Sequence, residues 1–120
     1  MHNLVKSLLQ IQNQLRIFHW QTKSYAAHKA LGKAYEALDD LVDTFVETAL
    51  GKGETDFTGE IDIKLYDIGS VNLNDVIDTY KILLLDLNTI LNLEVDSDLL
   101  NIRDEMLGSL NQLSYLLKLK

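Results

Sequence analysis

Imidazole and carboxylate groups together form a donor set for divalent transition metals. One stretch of this sequence, "FHWQTKSYAAHKALGKAYEALDDLVDTFVE" from Phe18 to Glu47, holds both, with two of the three histidines and the only tryptophan. Asp43 and Glu47 are spaced i, i+4, which sets their carboxylates one turn apart on one helix face. His28 precedes Asp43 by fifteen residues. That interval is a rotation of about 60° and an axial separation of about 22 Å. One helix therefore cannot bring His28 to Asp43. If they share a metal, they come from different chains, and a two-fold pairing of antiparallel helices makes two such sites by symmetry. Spacing alone also fits a simpler reading. Glu36, Asp39, Asp40, Asp43 and Glu47 fall on one polar arc, as on the solvated face of an amphipathic helix. His19 and Trp20 flank an apolar stripe, where a histidine is ordinarily hydrogen-bonded structure and a tryptophan packs.

The elements that must position these residues are helical. Leu4, Leu8, Ile11, Leu15 and Phe18 follow the spacing of one helix face, with Asn3 as a cap. Val5, Leu9 and Trp20 form a second arc, which fits a subunit contact or a wide core stripe. "QTKSY" is a turn, and Ser24 caps a second helix over 25–50 whose stripe is Ala27, Leu31, Ala34, Leu38, Leu41, Phe45 and Ala49. "GKG" at 51–53 ends it, with Gly51 or Gly53 in the left-handed conformation. From Glu54 to Ser70 the pattern changes. Ile61, Ile63 and Leu65 alternate with Asp62, Lys64 and Tyr66, which is the period of extended chain. Some fifteen extended residues reach about 50 Å, more than the roughly 39 Å of the second helix. The spacing thus predicts a crossover along the whole bundle, leaving helices two and three parallel. A third helix is expected over 73–93, and a fourth over 98–119 capped by Asp96 or Ser97. The chain reads as one all-α domain, 1–120, with no internal repeat: a four-helix bundle on the ferritin-like plan, with a long extended crossover between helices two and three.

Composition narrows the partners. The chain has 120 residues, no cysteine and no proline, and nearly half of it is apolar. Disulfides and thiolate metal sites are excluded, and long unbroken helices are favoured. The formal net charge of −7 opposes binding to nucleic acid and anionic membrane. The opening "MHNLVKSLLQIQNQL" lacks the features of a signal peptide, and no apolar run is long enough to span a bilayer. The expectation is an intracellular protein.

The His-Trp pair at 19–20, His28 opening the second helix, Asp43 fifteen residues on and Glu47 four further on resemble the Dps proteins, the mini-ferritins of the ferritin-like superfamily. "HWQTKSYAAHKAL" is also similar to short ferritin-like proteins encoded by tailed phages. The Dps resemblance implies that His19 and His28 of one chain and Asp43 and Glu47 of its dimer mate bind iron. At that site Fe²⁺ would be oxidised by O₂ or H₂O₂, which is ferroxidase activity serving iron sequestration and peroxide detoxification. It implies a homo-oligomer, at least a dimer, in the cytoplasm, meaning the host cytoplasm or the virion if phage-encoded. The phage resemblance implies an alternative: a non-enzymatic structural or interaction protein whose site is vestigial and metal-free. The chain departs from the Dps pattern in three ways. The histidines stand nine positions apart rather than twelve, no lysine-rich DNA-binding tail precedes the first helix, and the Glu-x-x-His pairs of full-size di-iron bundles are absent, Arg16 and Tyr25 standing three residues before His19 and His28.

Overall fold

The computed structural model describes residues 1–54 and 59–119. Part of the expected crossover, 55–58, lies outside the described residues. Every regular element described is helical: α1 (His2–Gln21), α2 (Tyr25–Gly51), a 3₁₀ turn (Ile68–Ser70), α3 (Leu73–Leu85), a single turn α4 (Leu87–Ile90) and α5 (Ser97–Leu117). The protein is all-α, and no helix among the described residues is long and apolar enough to cross a membrane.

The helix ends follow local chemistry. Ser24 caps α2 by accepting the Ala27 N–H. At the other end, Gly53 takes φ +104°, and the Gly53 and Glu54 N–H groups bond back to the Leu50 and Ala49 carbonyls. That is a Schellman closure, which needs a residue without a Cβ penalty at the left-handed position. Asn72, a cap the sequence reading did not single out, accepts the Asp75 N–H and starts α3. Asn3 is not a cap: α1 begins at His2, and the Met1 carbonyl takes the Val5 N–H.

The core runs the length of α1, α2, α3 and α5. Phe18, Phe45, Leu15, Leu31, Ile77, Met106 and Leu110 are sealed from solvent. α2 packs between α1 and α5, and α3 lies against α5. The described parts of the segment between α2 and α3 can be followed from their neighbours. α2 ends beside Met1, since Met1, Lys52 and Glu54 line one cleft. Tyr66 and Ile68 are bound near the far end of α1. α3 then returns, so that Leu83 and Ile90 lie beside Leu4 and Leu8. Helices α2 and α3 are therefore parallel, and α1 and α5 run the other way.

Two glutamines fasten the crossover. Gln14, wholly buried, donates to the Tyr66 carbonyl at 2.8 Å and accepts the Tyr66 N–H at 2.7 Å. Two turns on, Gln21 donates to the Asp67 carboxylate and accepts the Ile68 N–H, bonding one side chain and one backbone group of neighbouring residues. A primary amide is the one side chain that can pair with both groups of a lone extended residue, much as a neighbouring strand would. The alternation of Ile61 to Lys64 holds as burial, but Leu65 is exposed while Tyr66 turns inward. The Gln14 bonds set that reversal.

α3 is shorter than the spacing predicts. It breaks at Asp86, resumes for one turn, and Leu91 is extended. Arg103, only 6 % exposed, enters the break from α5. It donates to the Leu84 carbonyl, to Asn88 Oδ1 and to Asp104, each at 2.8 Å. Past the break, Asn92 gathers the Glu94 and Val95 N–H groups, while the Asp96 carboxylate takes the Asn92 N–H. Asp96 thus precedes α5 without capping it by its side chain, and α5 ends at Leu117 rather than 119.

Candidate metal centre

His19 lies in the last turn of α1 and His28 in the first turn of α2. The tight connection, closed by Thr22 N–H to Phe18 and His28 N–H to Ser24, brings their rings together. The rings stack, with centroids 3.8 Å apart and planes 18° from parallel. Each Nδ1 points at the other residue's backbone carbonyl: His19 Nδ1 to His28 O at 2.7 Å, and His28 Nδ1 to His19 O at 2.9 Å. A carbonyl oxygen only accepts, so both Nδ1 atoms carry hydrogen. In the neutral rings Nε2 is then the lone-pair nitrogen of both. Neither Nε2 has a hydrogen-bond partner among the described residues, and neither is sealed from solvent. An Nδ1–H held by a backbone carbonyl is the arrangement that orients a metal-ligating imidazole. The shortened turn therefore does not separate the histidines.

The walls around the pair are specific. A Cβ on Gly32 would lie 2.9 Å from His19 Cε1 and 3.1 Å from Nδ1, so the ring needs the missing side chain. Tyr35 meets His19 edge-on at 5.1 Å. Arg16 lies over the Tyr35 ring at 5.0 Å and pairs with Asp39 at 2.9 Å. Asp39, which also accepts from Gln12, is thus committed to α1 rather than to solvent. The histidines open into a groove of about 680 Å³ whose lining includes Lys29, Lys33, Leu116 and Leu119. Trp20 is 65 % exposed, so most of its ring faces solvent. On its arc, Val5 is buried in the bundle while Leu9 is half-buried.

Asp43 and Glu47 do not join the histidines within one chain. Both are exposed on α2, and Asp43 borders a separate groove with Val5, Leu9, Gln12 and Asp39. Among the described residues no three histidines or acids converge as a metal-binding group. One chain supplies two nitrogen donors in one place and two carboxylates in another. Gly32, Tyr35, Lys29 and Lys33 were not singled out in the sequence. Gly32 left one readable signal: a glycine inside a long helix, where it costs about 1 kcal/mol against alanine.

A family model matches residues 19–117, which include His19, His28, Asp43 and Glu47. The chain belongs to DUF5856, a family of unknown function. No curated protein and no solved structure matches this DUF5856 chain.

Proposed function

We propose that this chain is a ferritin-like iron-binding protein of the Dps kind, which takes up Fe²⁺ at sites shared between two copies. His19 and His28 of one copy would supply nitrogen donors, and Asp43 and Glu47 of the other would supply carboxylates. The observation that carries the reading is the reciprocal bonding of the histidine pair. It uses both Nδ1–H groups and leaves each Nε2 without a partner among the described residues, at a groove that both histidines line. The crossover and the parallel course of α2 and α3 agree with the ferritin-like plan.

Fe²⁺ is the substrate. Two Fe²⁺ each give up one electron to H₂O₂, which takes two protons and leaves as two waters; O₂ is the alternative acceptor. The chain's own part is to fix donor positions. The carbonyls hold the imidazoles, Gly32 gives His19 room, and Tyr35 closes its edge.

Anaerobic Fe²⁺ titration of variants tests this. His28→Ala and Asp43→Ala should each weaken binding by at least about tenfold, and the double variant should lose little more, because both serve one site. Asp40→Ala, on the same exposed arc but outside the ligand set, should bind normally. Equal behaviour of Asp43→Ala and Asp40→Ala would reduce the acids to a solvated face and favour the metal-free structural reading.

A further inference from the structure

The exposed stripe of α2 carries Tyr25, Lys29, Lys33, Glu36, Asp40, Asp43, Glu47 and Leu50, and all eight are exposed. At about 100° per residue the six charged positions fall within an arc of about 80°. Their order suits a lone helix poorly. The lysines stand toward the N-terminal end and the acids toward the C-terminal end, against the helix dipole. The first turn of α2 holds no acid and its last turn no base. The i, i+4 pairs Lys29/Lys33, Glu36/Asp40 and Asp43/Glu47 are all like-charged, each unfavourable by a few tenths of a kcal/mol. The stripe is also bounded at both ends by exposed apolar side chains, Tyr25 at 74 % and Leu50 at 39 %.

A second, antiparallel copy of the same helix relieves each of these features. We infer that this stripe is the dimer seam, with Lys29 facing Glu47 and Lys33 facing Asp43 of a second copy, and Tyr25 meeting Leu50. The two-fold axis doubles each contact. The like-charged Glu36 and Asp40 face one another on either side of the axis, so the dimer holds two unfavourable meetings against four favourable ones. The dipoles run head to tail, as antiparallel helices prefer. This register also carries the partner's Asp43 and Glu47 toward the groove that Lys29, Lys33 and the histidines line. The inference deepens the shared-site reading, on which its link to metal rests: the lysines hold those carboxylates until Fe²⁺ displaces them. The charge pattern itself is independent of metal.

Sedimentation equilibrium in EDTA tests the seam without metal. Wild-type chain should dimerise at about 50 mM salt, with the dissociation constant rising at least about tenfold at about 500 mM as screening takes hold. Lys29→Glu with Lys33→Glu should be monomeric, as should Asp43→Lys with Glu47→Lys. The equimolar mixture of these two variants should form a heterodimer, because each then presents a stripe of one sign. All four sites are exposed, and circular dichroism checks that the helices persist. A monomeric wild type in EDTA, a dimer indifferent to salt and substitution, or a mixture that stays monomeric would overturn the inference. If dimers form only with Fe²⁺, the seam fails and the shared site stands. If dimers form in EDTA but never take Fe²⁺, the seam stands and the shared site fails.

Discussion

Arg103 and the His19/His28 pair both place polar nitrogen inside a helical bundle, yet they use it differently. Arg103 spends its guanidinium on structure. Its donors reach the Leu84 carbonyl, Asn88 and Asp104, closing the break between α3 and α4. Each histidine spends one nitrogen on the partner's backbone and keeps the other free of any bond among the described residues. A buried guanidinium that spends each of its three nitrogens on a partner within the bundle holds a fold. A stacked pair in which each ring is fixed through Nδ1 and keeps Nε2 free holds a turn and leaves nitrogen available to a ligand. Distinguishing these two roles is the useful test of the molecule.

The largest effect expected is on the histidine side. Gly32→Ala removes no ligand and improves helix propensity by up to about 1 kcal/mol. Its Cβ would nevertheless collide with the His19 ring. It should lower Fe²⁺ affinity at least about tenfold while thermal stability holds or rises. A stable variant that binds normally would show that the ring stack is dispensable. On the arginine side, Arg103→Met should cost about 2–4 kcal/mol in denaturant unfolding, because it strands the Leu84 carbonyl and Asn88. Fe²⁺ binding by the folded fraction should be unchanged. A loss of metal without a loss of stability would reverse the assignment of roles.

Tyr80 sharpens the contrast from a third position, with the smallest effect. Its hydroxyl is sealed from solvent without a hydrogen-bond partner among the described residues, and Gln10 beside it lies outside bonding geometry. Burial, with a smaller contribution from Tyr66, pushes its pKa up to about 12. The native state therefore favours the neutral phenol. Its stabilising effect is complete below the ordinary value near 10 and is lost as pH rises toward 12. Tyr80→Phe removes the orphaned hydroxyl, so it should raise stability by about 1 kcal/mol and flatten the alkaline fall in melting temperature. An unchanged alkaline profile would place the titrating group elsewhere.

The fold was largely legible because its signals are periodic. The stripes from Leu4 to Phe18 and from Ala27 to Ala49 set α1 and α2, and the period-two run from Ile61 marked the crossover. The break at Asp86 was not legible, since "LLLDLN" continues a helical pattern and the cause, Arg103, lies on another element. Gln14 was not singled out in the sequence and Gln21 was placed in the "QTKSY" turn, whereas α1 runs through Gln21; their pairing with Tyr66 and Ile68 is a tertiary fact. In the site, the residue types and the need for a second chain followed from helix pitch. The stacking of His19 on His28 did not, because it depends on the turn at Thr22–Ser24 and on the space left by Gly32. The charge order along α2 was present in the sequence but acquired meaning only once the stripe was seen to be wholly exposed.

The central claim is that two chains jointly bind Fe²⁺ through ligands neither holds alone. Its most direct test is anaerobic Fe²⁺ binding, counted per chain, in an equimolar mixture of His19→Ala/His28→Ala protein with Asp43→Ala/Glu47→Ala protein. Each variant alone should bind almost nothing. The mixture should recover one intact site in each heterodimer, since one chain brings both histidines and the other both carboxylates. No recovery in a mixture shown to form heterodimers, or full binding by either variant alone, would contradict the account.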